Sequence, residues 1–382
     1  MSEPDHVSPL VYLIAGEPSG DNLGAGLIDS IRARCPDARF MGVGGPEMQA
    51  RGLDSLFPMS DLSVMGIAEI LPRLRLLLRR IRETASHVRD NHPDVVVTID
   101  SPDFSFRVAH RLRGQRIPLV HYVAPTVWAW RPKRAAKVAN LYDHLLTLFP
   151  FEPPYFEREG LATTFVGHPV INNDVGDGER FRANLNIGID IPVLCILPGS
   201  RRSEISRLLP VFLKTLGQLR RQLPLLHGVI PTVPHLERDV RRMVEGTPNI
   251  SIIVGPERKA DAFAASNAAL AASGTVALEL AIAGVPSVIG YMLNAATAVL
   301  ARRLVRIPYK SLANILLGRE VMPERLQERC TPDELCAALT PLLSGGLERA
   351  QQLAAFGQVR GQLSRPGEMP DDVAAREVLR II

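Results

Sequence analysis

At 382 residues the chain exceeds the size at which a single hydrophobic core usually stops growing, so two domains with a cleft between them are expected. Its composition, 46% apolar and 22% charged, is that of a soluble globular protein and argues against both disorder and a disulfide-built scaffold. The formal charge of +4 is small for this length, but arginines cluster, and such clusters suit phosphates or acidic lipid.

Short apolar runs rich in β-formers alternate with helical patterns from the start, at residues 11–15, 40–43, 95–99, 119–123, 145–149 and 165–166. This rhythm predicts buried parallel strands with crossover helices. Glu3 and Asp5 precede the first run, which does not read as a signal peptide. A polar stretch at 172–179 reads as the linker. A second series follows at 193–197, 226–230, 250–254, 268–272 and 287–290, and the tail from about 347 reads as helical with a break at Pro366. The expected division is therefore 1–175, 176–346, and a tail 347–382 lying back on the first domain. No apolar stretch approaches the roughly eighteen residues needed to span a bilayer, so membrane contact is expected only at the surface. Cys35, Cys195, Cys330 and Cys336 form no CxxC pair and read as reduced thiols.

In doubly wound sheets ligands bind beyond the carboxyl ends of the strands, which directs attention to the loops after each run. The first loop, AGEPSGD at 15–21, suits anions or sugar hydroxyls, and equally a tight structural turn. Neither it nor Gly42, Gly44 and Gly45 matches GxGxxG, which removes the main support for a dinucleotide oxidoreductase. At 72–88 the apolar residues Leu74, Leu77, Leu78, Ile81, Ala85 and Val88 recur at helical spacing, with Arg73, Arg75, Arg79, Arg80 and Arg82 on the remaining surface. Such a helix fits an anionic bilayer or acyl chains, although covering the sheet is the commoner use of such a stripe. The third run ends in Asp100, followed by Asp103, which reads as a helix N-cap. Asp100 is either a general base at the mouth of a cleft or a carboxylate bonded to backbone amides. At 124–134 both tryptophans stand beside three cations, a setting for a sugar face or for hinge packing.

In the second series, Gly199, Ser200 and Arg201 open a helix where amides and a guanidinium can grip a diphosphate. Ser273, Gly274 and Thr275 form another strand-to-helix turn, with Glu279 one turn in, where a carboxylate can accept ribose hydroxyls or simply face solvent. His121, His144 and His168 are scattered and no HExxH or paired-carboxylate motif occurs, so no metal and no cofactor are expected.

The ordered set AGEPSGD (15–21), VMGIAEIL (64–71), IDSPDF (99–104), HYVAPTVWAWRPKR (121–134), LPGSRRSEI (197–205), SGTVALE (273–279) and YKSLANILLGRE (309–320) resembles lipid-A-disaccharide synthase nearly end to end. The resemblance implies an α/β fold of two Rossmann-like domains facing across a cleft, the glycosyltransferase B fold. It implies inverting transfer of 2,3-diacylglucosamine from its UDP conjugate to the 6-hydroxyl of 2,3-diacylglucosamine 1-phosphate. By the same resemblance Asp100 is the general base, Arg201 the arginine near the diphosphate, and Ser273, Gly274, Thr275 and Glu279 hold phosphates and ribose. Tyr309, Ser311 and Asn314 complete the UDP pocket. Glu17, Ser19, Met65, Glu69 and Trp128 fall on the acceptor side, and residues 64–78 on a surface meeting membrane and acyl chains. A cytoplasmic protein at the face of the inner membrane follows, with no nucleic-acid partner and a homodimer left open. Pro18 and Ser101 stand where the family more often carries alanine, and Ala313 where proline is usual, which bears on acyl preference more than on the reaction. Two other readings stay open: a related B-fold UDP-GlcNAc enzyme (peptidoglycan glycosyltransferase or 2-epimerase), and a non-catalytic nucleotide-sugar or lipid-binding module.

Overall fold

Strands buried on both faces need helices on both sides, and the chain supplies them in alternation. A computed structural model of the protein describes residues 8–62, 67–130, 133–294 and 307–382. It divides into two units, Met1–Pro169 with Leu363–Ile382, and Val170–Gln362.

The first unit contains β1 (Leu10–Ala15), β2 (Arg39–Val43), β3 (Asp54–Ser55), β4 (Val95–Ile99), β5 (Leu119–Tyr122), β6 (His144–Thr147) and β7 (Ala162–Phe165). These form one parallel sheet in the order β3-β2-β1-β4-β5-β6-β7. Alternate residues of β1 feed two cores: Val11, Leu13 and Ala15 pack on one face, Tyr12 and Ile14 on the other. The second unit contains β8 (Val193–Leu197), β9 (His227–Thr232), β10 (Ile250–Val254), β11 (Ala268–Ala271), β12 (Ser287–Tyr291) and β13 (Glu324–Leu326). They form a second parallel sheet in the order β10-β9-β8-β11-β12-β13. Two of the four edge strands, β3 and β13, of two and three residues, carry no apolar run that could announce them.

Three expectations shift. The polar stretch at 172–179 is already part of the second unit, where the Asp177 amide donates to Asp261 Oδ1 (2.6 Å) and a Cβ on Gly176 would meet backbone of Ala260 at 2.3 Å. Its glycines permit close packing instead of forming a linker. In the tail, the helix Leu347–Leu363 stays with the second unit through Gln352, which donates to the carbonyls of Ser287 (3.1 Å) and Val321 (2.8 Å). Only the helix Pro370–Ile381 joins the first unit, placing Val373, Ala374, Ala375 and Val378 in its core. Gly26 permits this approach, because a Cβ there would lie 2.5 Å from the Asp371 carboxylate. Finally, Ser101 and not Asp103 is the N-cap of the helix Pro102–Leu112, since Pro102 takes the first helical position and leaves Asp103 inside the first turn.

The helix Ile67–Asn91 resolves part of the amphipathic question. Ile81, Ala85 and Val88 are buried in the first unit's core and Leu78 packs against it, so this half covers the sheet. Arg80 is spent locally, on Asp61 (2.6 Å), Glu83 (2.7 Å) and the face of Phe57. Leu74, 40% exposed, and Arg75, Arg79 and Arg82 face solvent. Met65 lies outside the described residues, as do the side chains of Glu69 and Arg73.

Asp21 ties the first two strand loops together. Only 2% exposed, its carboxylate accepts the amides of Gly45 (2.8 Å), Glu47 (2.9 Å) and Met48 (3.1 Å), capping the helix Pro46–Ala50 from another element. Replacing it strands buried donors, at about 1–3 kcal/mol for each left unpaired. Asp21→Ala is expected to lower unfolding free energy by at least about 2 kcal/mol. Asp21→Asn, whose oxygen still serves Gly45 and Met48, should lose roughly half as much, as read by urea denaturation followed by circular dichroism.

Candidate active site

Each sheet reverses its strand order once, between β1 and β4 in the first unit and between β8 and β11 in the second. Connections leave such a point in opposite directions, so the loops at the carboxyl ends part and leave a crevice. The four loops at these reversals carry Glu17 and Ser19 (after β1), Asp100 (after β4), Gly199–Arg201 (after β8) and Ser273–Thr275 (after β11).

In the first unit the chain turns sharply as it leaves the two central strands. Asp100 (φ +52°), Ser101 (φ +45°) and Val123 (φ +82°) are left-handed, a conformation costing about 1–3 kcal/mol for an ordinary residue and least natural for a β-branched valine. Asp100 is held there by its amide on Tyr122 O (2.9 Å) and its carbonyl, which accepts the Ser105 hydroxyl (2.8 Å). Its half-buried carboxylate accepts the Ser101 amide (2.8 Å) and the Ser19 hydroxyl (3.3 Å). The amide-bonded carboxylate and the poised base are thus compatible: two donors orient the group and leave it open. Gly16 is required by the same turn, since a Cβ would lie 2.5 Å from Ser101 Oγ. Glu17 and Ser19 are exposed beside it.

Trp128 is half-buried at the next loop, with its indole N–H donating to Glu152 Oε1 (3.2 Å) and its ring edge-on to Phe151. Phe151 stacks on Phe149, which meets His168. Glu152 is buried, and burial pushes its carboxyl up to about 8 despite the donors Trp128, Phe149 and Leu148. Arg134 sits over Phe106 and Lys133 is exposed, while Arg131 lies outside the described residues. His121, bonded to Thr98 and stacked on Tyr142, is driven down to about 3 by burial, and His168 to about 4. Both are neutral core residues, and neither serves as an acid or base near neutrality.

In the second unit the loops after β8, β9, β10 and β11 enclose a cavity of about 500 Å³. It brings together Gly199, Ser200, Arg201, Ser273, Gly274, Thr275 and Glu279. Two residues not singled out from sequence also line it, Glu204 and Lys259. Glu204 Oε2 accepts the amides of Ser200 (3.2 Å) and Arg201 (3.3 Å), so a carboxylate of the protein already occupies the amides expected to grip a diphosphate. Gly199, at φ +110°, makes room for it, because a Cβ would lie 2.4 Å from that oxygen. Glu204 Oε1 in turn contacts Arg201 Nη1 (3.4 Å) and accepts the Tyr291 hydroxyl (3.4 Å). The Arg201 side chain remains 70% exposed. Glu204 is legible in retrospect, as the third residue of a helix following a Gly-Ser turn, where a carboxylate reaches back to the cap.

Tyr309, Ser311 and Asn314 do not line this cavity. Ser311 and Asn314 are fully buried. Asn314 donates to Met322 O and Glu324 Oε1 and accepts from the amides of Val321 and Met322, all at 2.8 Å, which uses the whole amide group. The segment reaches the site through Lys310, whose carbonyl accepts the Ser273 hydroxyl (3.0 Å). Among the described residues no three His, Cys, Asp or Glu side chains cluster as a metal site.

A sequence profile of the lipid-A-disaccharide synthetase family matches residues 11–377. The chain belongs to this family. Relatives named lipid-A-disaccharide synthase include those of Rhodospirillum centenum, 52% identical over 98% of this chain and 94% of the relative, and Gluconobacter oxydans, 46% identical over 98% and 91%. The family places the chain among the glycosyltransferases. Solved structures that share the fold include the glycosyltransferase of kitacinnamycin (TM-score 0.67, 17% identity, 98% of this chain and 99% of that one). Another is the UDP-GlcNAc 2-epimerase of Neisseria meningitidis bound to UDP-GlcNAc (0.65, 13%, 97% and 100%). A third is MurG of Acinetobacter baumannii (0.57, 16%, 97% and 99%). These bear on the B fold alone, which joins two parallel α/β units.

Glu152 gives the family's first unit a measurable pH signature. Its carboxyl is raised from 4.5 to about 8, so between these values the folded protein retains a proton that the unfolded chain releases. The associated stability is full below the lower value and is lost as pH rises through the upper one, at most about 1.4 kcal/mol per pH unit. Denaturant titrations at pH 5 to 9 should show wild type losing ground to Glu152→Gln across this window, with the difference levelling off above it.

Proposed function

We infer that the chain transfers 2,3-diacylglucosamine from UDP-2,3-diacylglucosamine to 2,3-diacylglucosamine 1-phosphate, giving the β-1,6-linked disaccharide 1-phosphate and UDP. The observation that carries the reading is the coincidence of the family's motifs with the two strand-order reversals. Asp100 stands at one, and Arg201, Ser273 and Glu279 at the other.

In this mechanism Asp100 takes the proton of the acceptor 6-hydroxyl as that oxygen attacks the anomeric carbon. The new C–O bond forms opposite the breaking bond to the UDP oxygen, so the configuration inverts and the electron pair leaves with UDP. The Ser101 amide and Ser19 hydroxyl aim the carboxylate. The growing charge on the leaving diphosphate is met by the exposed guanidinium of Arg201, with the Gly274 turn beside it. Because Glu204 holds the Ser200 and Arg201 amides, its part is to brace that loop and to steer Arg201. Glu279 takes the ribose hydroxyls, while Tyr309, Ser311 and Asn314 support the donor pocket from behind Ser273. Glu17, Ser19, Met65, Glu69 and Trp128 serve the acceptor. No step needs a metal or cofactor.

No helix among the described residues is long and apolar enough to cross a membrane. The lipid substrates therefore call for surface contact through residues 64–78 at the cytoplasmic face of the inner membrane, and exposed Leu74, Arg75 and Arg79 support that contact. Whether two copies associate to do so is part of the same reading.

Asp100→Asn is expected to lower disaccharide formation by at least about 10²-fold while UDP affinity by calorimetry is unchanged, and Arg201→Ala to weaken both. Near-normal turnover by the first variant removes Asp100 as base. Formation of an epimerised UDP-sugar from soluble UDP-GlcNAc, with no disaccharide from the acylated pair, sinks the transferase reading. Charge reversal at Arg75 and Arg79 should reduce co-sedimentation with anionic vesicles and leave turnover in detergent micelles within about twofold, as expected for surface charges that only attract lipid.

A further inference from the structure

Two charged side chains meet inside the cavity of the second unit. Lys259 lies on the helix Pro256–Ala264 that follows β10, and Glu279 on the helix Val276–Ile282 that follows β11. Lys259 Nζ stands 2.5 Å from Glu279 Oε2, and the ammonium also approaches the ring of Phe263. Their side chains are 37% and 20% exposed, a setting in which an ion pair contributes little to folding. The detail that matters is at the atomic level. Oε2 is removed from solvent, and no hydroxyl or backbone donor among the described residues reaches it. The lysine is thus what compensates the inner oxygen. Without it, a partly buried carboxylate keeps an unpaired oxygen and is free to rotate.

We propose that Lys259 is a positioning residue for nucleotide specificity. It holds the Glu279 carboxylate in one orientation, with the inner oxygen on the ammonium and Oε1 offered to the ribose of the donor. This rests on the assignment of Glu279 to the ribose and extends it. A pinned carboxylate accepts a hydroxyl at a fixed place, so the pocket distinguishes a ribonucleoside diphosphate from its deoxy analogue, whereas a loose one does so poorly. The alternative use of the same cation, simple attraction of the diphosphate, acts on both nucleotides equally.

The test compares UDP with 2′-deoxy-UDP and 3′-deoxy-UDP by isothermal titration calorimetry on the full chain. Wild type is expected to prefer UDP over at least one deoxy analogue by about tenfold or more, the size of one hydrogen bond to a charged group. Glu279→Gln should reduce that preference to below about threefold, and Lys259→Met should do the same, while Lys259→Arg restores most of it. If Lys259→Met weakens all three nucleotides in equal proportion and keeps the preference, the positioning role is overturned and the lysine acts on the diphosphate. If Glu279→Gln also keeps the preference, the ribose assignment itself falls. Thermal melts showing that the variants unfold within about two degrees of wild type tie the result to the pocket, as expected of a surface-level ion pair.

Discussion

In each parallel sheet the strand order reverses, because right-handed crossovers running in one direction cover only one face of the sheet and both faces must be buried. Here the reversals fall between β1 and β4 and between β8 and β11. The residues proposed as general base and as diphosphate contacts stand at those two points. The strands β1, β8 and β11 that lead into these points contribute position only, while the polar residues of the site lie past their carboxyl ends.

The loops at the reversals are short and are held by buried or half-buried carboxylates. Asp21 gathers three amides of the neighbouring loop, and Glu204 gathers two in the second unit. The glycines beside them are consequences of this: Gly16 yields to Ser101 and Gly199 to Glu204. A glycine-rich turn in a nucleotide-sugar enzyme is easily read as a phosphate cradle. At 199–201 the space that glycine opens is filled by the protein's own Glu204 side chain.

Burial sorts the titratable groups. His121 and His168 are held neutral, and Glu152 retains its proton to about pH 8. The carboxylate left half-exposed at a strand end, Asp100, is the one aimed by two donors from a strained turn. The left-handed backbone at Asp100, Ser101 and Val123 is a cost that packing elsewhere must offset, and it lies next to the residue assigned the proton transfer.

The sequence by itself determined the alternation of strands and helices, ten of whose strands appear as apolar runs close to their observed bounds, because burial on both faces demands an unbroken apolar run; β7, half-exposed and rich in threonine, meets its expected run only at Phe165. It also determined the family, through motifs lying in loops where each residue type has a narrow use. Tertiary structure alone decided the rest. The short edge strands β3 and β13 are set by pairing with a neighbour, the unit boundary near 170 by glycine contacts with the helix Pro256–Ala264, and the division of the tail by whether a helix donates through Gln352 to the Ser287 and Val321 carbonyls or packs at Gly26. The partner of Lys259 likewise comes from another helix, so no local pattern marks it, whereas Glu204 braces amides three and four residues before it in a pattern the sequence does carry. Asp100 carried two readings in sequence, amide-bound or catalytic; the fold shows the carboxylate bound by the Ser101 amide and the Ser19 hydroxyl, an arrangement with which the proposed catalytic role is compatible.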